Sequence, residues 1–218
     1  LEHVRFVLKD IRRVYPDYDR KRGYELAGFV WFQGFNDLVG RNVYPEIPED
    51  HPTSRFENYT KWFANFVRDV RKDLGVPELP VVMCVLGVGG PNANKGTHDF
   101  RFSQAAIGDL PEFKGNVLVV PTAPYWDEEL AKLDSKRGEI RQKRHLLNTK
   151  NKNHENADGK MTPDDIKEFL IKFEKELFTE EDLALEKRGK SNGGYHYLGS
   201  TKTYSLIGEA AAKALLNH

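Results

Sequence analysis

Two short stretches of the chain carry side chains that could do chemistry. Gln33-Gly34-Phe35-Asn36-Asp37 sets a glycine, whose backbone N–H can approach a ligand, beside a side-chain amide. Both are donors of the kind that stabilise a tetrahedral oxyanion. The same letters also make an ordinary turn, because Gly, Asn and Asp are common loop formers. His196 stands in Asn192-Gly193-Gly194-Tyr195-His196-Tyr197-Leu198-Gly199. Glycines on both sides let its imidazole reach a surface, and an unperturbed histidine titrates where a general base is useful. The competing reading is a loop histidine flanked by packing tyrosines.

Other polar clusters are weaker. Gly87-Val88-Gly89-Gly90-Pro91 fits neither a dinucleotide nor a P-loop spacing and reads as a rim turn. His154 to Asp165 imitates a calcium loop, but its first position is His and its twelfth is Asp rather than Glu. No metal or cofactor is expected. His98 beside Asp99 reads as an exposed polar pair.

The elements that must position these groups follow from the apolar pattern. Val4, Val7, Leu8, Ile11 and Val14 share one helical face over 2–14, and Pro16 stops it. Residues 26–32 form a near-continuous apolar run, the signature of a strand covered on both faces. Ser54 with Glu57 forms a capping box ahead of a helical stripe running from Phe56 to Leu74, closed by Gly75. Residues 80–86 and 116–121 repeat the buried-strand pattern. Strands alternating with helix-length segments imply βαβ units, a parallel sheet and an α/β fold with helices on both faces. In such sheets ligands sit at the carboxyl ends of the strands, so the loops at 33–40, 87–99 and 122–127 are expected on one rim.

Residues 128–190 differ. They are strongly charged and show one clear helix, capped by Thr162 with Pro163 in its first turn and Ile166, Phe169, Leu170, Phe173 and Leu177 as its stripe. This segment reads as a helical insertion or lid within a single domain spanning 1–218. A last helix covers 200–216, with Ile207, Ala211, Ala214 and Leu215 inward and Gly208 permitting close approach.

Bulk composition narrows the function classes. With 33 basic and 33 acidic residues the formal net charge is zero, which gives no reason to expect a nucleic-acid or anionic-membrane partner. No stretch approaches a membrane span. The one cysteine, Cys84, lies within an apolar strand and reads as a buried thiol.

Taken together, these segments resemble the sialate O-acetylesterase family of carbohydrate esterases, within the SGNH hydrolase superfamily. Trp31-Phe32-Gln33-Gly34-Phe35-Asn36-Asp37 is similar to the family's Trp-x-Gln-Gly-Glu-x-Asp block and to the superfamily's Gly-x-Asn-Asp block. The likeness continues through Phe100-Arg101-x-x-Gln104, Leu110-Pro111-Glu112-Phe113, Asn116-Val117, Trp126-Asp127 and Gly194 to Ser200. It implies a flavodoxin-like three-layer α/β/α fold and hydrolysis of acetyl esters on sugars. A serine attacks the acetyl carbonyl, a histidine takes its proton, and amide donors hold the oxyanion. By that resemblance His196 is the base, Gly34 and Asn36 are oxyanion donors, and Gln33 and Asp37 shape the same turn. Two positions depart from the pattern: Phe35 stands where Glu is usual, and Gly193 where the superfamily has Asp. The acidic member is therefore Asp37, Asp127 or a backbone carbonyl.

The nucleophile is a further departure, since no serine follows a strand in a Gly-x-Ser turn. The chain thus reads as N-terminally incomplete and inert by itself, its intact form secreted or periplasmic by substrate class, with an acetylated carbohydrate as partner. The alternative is a module that binds carbohydrate or a partner without turnover. The esterase reading requires the turn at 33–37 and His196 to converge.

Overall fold

The structure, a computed structural model, describes residues 1–48, 51 and 53–217. The chain divides into two compact units. One comprises Leu1–Leu86, Asn94–Thr122 and the residues from Glu209 on, and the other comprises Gly87–Ala93 and Ala123–Gly208. The segment 128–190 lies wholly within the second unit, which extends beyond it on both sides.

The first unit opens with helix α1 (Glu2–Lys9), which is shorter than its stripe predicts. Asp10 breaks it with an extended φ of −149°, and Ile11–Arg13 continues as a single 3-10 turn. None of its apolar face is buried, and Val4 and Val14 are exposed. Strand β1 (Phe29–Trp31) is followed by the short helix α2 (Phe35–Val39) and the long helix α3 (Glu57–Leu74). Strand β2 (Val81–Val85), helix α4 (Lys95–Ala105) and strand β3 (Val117–Pro121) complete the pattern. The strands are parallel in the order β1-β2-β3, with Phe29 opposite Val81 and Val81 opposite Val117. The fold class is α/β with a parallel sheet, as the alternation implied.

Every residue of β2 is buried, as the central strand of a parallel sheet requires. The strand expected over 26–32 is only three residues long and is not covered on both faces. It is the sheet's edge among the described residues, and Val30 is 47% exposed. Its other face carries Phe29 and Trp31 onto Phe66 of α3, with ring centroids 5.9 and 4.8 Å apart. Phe100 of α4 packs edge-on against Phe56 and Tyr59 at 4.9 and 5.0 Å. Burying one such ring contributes about 2–3 kcal/mol.

The predicted capping box at Ser54 does not form. Helix α3 begins at Glu57 without a side-chain cap, and the Ser54 hydroxyl instead accepts the Phe56 N–H at 3.2 Å. Gly75 closes the helix in the left-handed conformation, φ 71°.

The second unit holds three helices in the charged segment where one was legible: α5 (Glu128–Asn148), α6 (Pro163–Leu177) and α7 (Glu180–Gly189). Helix α5 leaves little trace in the sequence because its 21 residues bury only Leu130, Leu133, Ile140 and Leu147, too sparse a stripe to stand out. These pack with Leu170, Phe178 and Leu198 into one core. Thr162 caps α6 as expected, through a full capping box with Asp165, and Thr179 with Asp182 does the same for α7. Charge laces the helices. The Arg137 guanidinium donates to Glu174 and Glu186, Lys136 pairs with Asp182 at 2.6 Å, and Lys190 pairs with Asp134 at 2.7 Å. Helix α8 (Thr201–Leu216) is the last element; Ile207 and Ala211 are buried, and Leu215 lies against Gly28. Gly208 does not serve a close approach, since a Cβ there would meet nothing within 4 Å.

Candidate active site

The turn at 33–37 leaves the carboxyl end of β1 and enters α2. Gly34 is its N-cap, and no other residue fits: a Cβ at Gly34 would lie 2.7 Å from Gln104 Nε2 and 2.9 Å from a ring carbon of Phe100. Gln104 is fully buried and braces two strand ends at once. Its Nε2 donates to the Gln33 carbonyl at 3.1 Å, and its Oε1 accepts the Leu86 N–H at 2.8 Å. Arg101 adds a bond from Nε to the Leu86 carbonyl at 2.6 Å. The side chains of Gln33 and Asn36 point outward, exposed, and engage no described residue.

Asp37 is half-buried in the field of two phenols. Tyr44 and Tyr59 are both pushed above the ordinary tyrosine range, first by burial and further by the Asp37 charge. They therefore stay protonated, Tyr59 accepting from Trp31 Nε1 at 3.4 Å. Cys84 is buried and its thiol is pushed up to about 11 by desolvation, which leaves it a poor nucleophile. Gln33, Gly34, Asn36 and Asp37 thus share one turn of the first unit, and His196 belongs to the second.

His196 lies on an exposed loop between α7 and α8, its ring 4.5 Å from that of Tyr195. The imidazole hydrogen-bonds no described residue. The next two residues are strained: Tyr197 has φ 50° and Leu198 has φ 60°, values that side chains rarely adopt. Burial sustains them. Tyr197 is 4% exposed and its hydroxyl accepts the Gly87 N–H at 2.6 Å, while Leu198 at 1% exposure fills the core of the second unit. Backbone strain of this size, about 1–3 kcal/mol per residue, concentrates at functional loops. A cavity of about 810 Å³ beside this loop is lined by Arg141, Lys187, Asn192 and Tyr195 among others.

Asp127, the other candidate acid, has a structural task. Its side chain accepts the Leu130 N–H at 3.1 Å to cap α5, and Lys202 stands 3.8 Å from its second oxygen. The serines have local tasks too. Ser103 bonds back to Asp99, Ser191 to Gly199, and Ser200 accepts the Thr203 N–H; Ser135 and Ser205 lie inside α5 and α8. The calcium-like loop is spent on structure. Asn156 bridges the Leu147 carbonyl and the Met161 N–H, Asp158 pairs with Lys160, and Asp165 caps α6. No group of three His, Cys, Asp or Glu side chains that could hold a metal occurs among the described residues.

Residue type alone does not mark the braces. Gln104 and Arg101 stand in the resemblance without a role, and their helical spacing is the one available signal. The strain at Tyr197 and Leu198 leaves no trace in residue type.

Residues 9–123, just over half of the chain, match the family model for carbohydrate esterase, sialic acid-specific acetylesterase. No curated protein and no solved structure matches.

Proposed function

The chain belongs to the sialic acid-specific acetylesterase family of carbohydrate esterases, and from that premise we propose that it serves the removal of O-acetyl groups from sugars. The Gly34 N–H and the Asn36 amide hold the oxyanion formed when a serine hydroxyl attacks the acetyl carbonyl. His196 takes the serine proton and returns it to the departing sugar hydroxyl. A water molecule then releases acetate by the same route. Asp37 is the acid we assign, because Asp127 is committed to its cap; Gln33 borders the acetyl group. His196 lies beyond the matched residues, so its role rests on the strained, exposed loop that carries it.

The observation that carries this reading is the turn itself: a glycine closed to any side chain, close to an amide that engages no described residue, at the carboxyl end of a parallel strand. None of the six serines has a strand-to-turn setting, so none is assigned as the nucleophile, and the proposal requires a serine in a Gly-x-Ser turn outside these 218 residues. A polypeptide extended through such a serine is expected to hydrolyse p-nitrophenyl acetate, and the 218-residue chain to be inert. Asn36→Ala should lower kcat about a hundredfold to a thousandfold, and His196→Ala should abolish turnover. Full activity in His196→Ala removes the base assignment; full activity in Asn36→Ala removes the oxyanion assignment.

The tasks already held by the serines favour a second reading, binding without turnover. Calorimetric binding of an acetylated glycan to the extended polypeptide, with no acetate released, would select it.

A further inference from the structure

We propose that the groove between α5 and α6 binds a small amphipathic anion: an aliphatic or aromatic body bearing one carboxylate, sulfonate or phosphate. The groove lies wholly beyond residue 123, outside the matched segment, and takes no part in the esterase chemistry above. Its volume of about 610 Å³ falls in the size range of small-molecule sites.

The floor is apolar. Ile140 and Leu170 are buried beneath it, Met161 and Ile166 are half-buried, and Ile171 is 46% exposed at its edge. Around this floor stand Arg141, Arg144, Lys150 and Lys167, and none of the four side chains has an ion-pair or hydrogen-bond partner among the described residues. Away from the groove the cations are mixed: Lys136, Lys143 and Lys190 are each paired with a carboxylate, whereas others such as Lys172 and Lys187 have no ion pair among the described residues.

Acids are not scarce, since residues 128–190 hold fifteen of each sign. Glu174, the single acid on the groove wall, is already held by Arg137. What sets the groove apart is that four cations without an ion pair among the described residues surround one apolar floor. The α5 macrodipole accounts for part of this cluster, because cations are favoured at a helix C-terminus. That covers Arg144 and Lys150. It does not cover Lys167, near the amino-terminal end of α6, where the dipole opposes a cation.

The wall is also fixed in place. Asn156, 2% exposed, ties the loop between α5 and α6 to Leu147 and Met161. Lys150 is held at φ 52° with its stem across Gly159, where a Cβ would fall 3.0 Å from it. A preformed pocket gains affinity because little ordering is left to do on binding. A carboxylate or sulfonate would take the guanidinium and ammonium donors while its apolar body covers Ile166 and Ile171.

The test uses all 218 residues together and decanoate below its micelle-forming concentration. Titration followed by calorimetry and by amide NMR should show saturable binding, with the largest shifts at Met161, Ile166 and Ile171. Arg144→Glu with Lys167→Glu should weaken it about tenfold or more, as should raised salt. Lys114→Glu, on the other unit, should leave it unchanged. If the double variant does not fold, Lys167→Gln alone should weaken binding severalfold. Equal binding of decyltrimethylammonium, unchanged affinity in the charge variants, or binding only to anionic phospholipid vesicles would each overturn the proposal.

Discussion

Gly34 is held in place by what surrounds it, whereas Leu198 is held by what it fills. In the first unit, a turn with no room for a side chain is pinned through the hydrogen bonds of one buried amide, Gln104. In the second, a loop carries two side chains at positive φ because their burial outweighs the strain. The difference teaches where each loop is fragile. The turn at 33–37 depends on polar groups being satisfied, and the loop at 191–199 on volume being filled.

The largest effect is expected at Leu198. Leu198→Ala removes buried volume and should cost about 3–4 kcal/mol in denaturant unfolding, with hydrogen exchange accelerated through 191–199. Leu198→Gly loses the same side chain but relaxes at φ 60°, so it should be the milder variant by about 1 kcal/mol. Equal losses for the two would mean that no strain is stored, and the contrast with Gly34 would collapse.

Gln104→Leu comes next. It keeps volume but leaves the Leu86 N–H and the Gln33 carbonyl without their partner, a cost of about 2–3 kcal/mol. The loss should appear as faster exchange in the first unit while 191–199 keeps its protection. Accelerated exchange in both places would show that the two loops are not held independently.

How much of this is legible in the sequence follows the same division. The parallel sheet is legible because β2 and β3 are written as continuous apolar runs, and the α6 start because Thr162-Pro163 with Asp165 is a local signal. The extent of β1 is not: Leu26 and Ala27 extend the apolar run, but the chain pairs with β2 only from Phe29 to Trp31. Helix α5 is hidden because long-range pairs such as Arg137 with Glu186 stabilise it, and periodicity does not encode them. At the candidate site the residue types at 33–37 and 196 are legible. The brace from Gln104 and the positive φ at Tyr197 are not, because both arise from tertiary packing.

Arg137 sharpens the comparison from the side of charge. Burial works against the charge on Glu186, but Arg137 and Lys190 outweigh it and hold the carboxyl below its ordinary range. The folded value therefore lies under the unfolded one of about 4.3. The resulting stabilisation is complete above that pH and is lost as pH falls through the folded value. Arg137→Met should cost about 1–2 kcal/mol at neutral pH. It should also flatten the acid-side decline of the second unit, read from unfolding midpoints at neutral pH and near pH 3. An unchanged decline would assign the acid sensitivity to other carboxylates.

The smallest effect has the opposite sign. Gly208 lies inside α8, exposed, and a Cβ placed on it would meet nothing within 4 Å, so the glycine serves no packing purpose there. Gly208→Ala should stabilise the chain by about 0.5–1 kcal/mol, through the lower entropy of the unfolded backbone and the better helix propensity of alanine. Gly34→Ala should do the reverse, because its Cβ would meet Gln104 and Phe100. Thermal melts of the two variants, made in parallel, ask whether a glycine is retained for the space around it. A loss of stability in Gly208→Ala would mean that the helix needs backbone freedom at that point, and space alone would no longer separate the two positions.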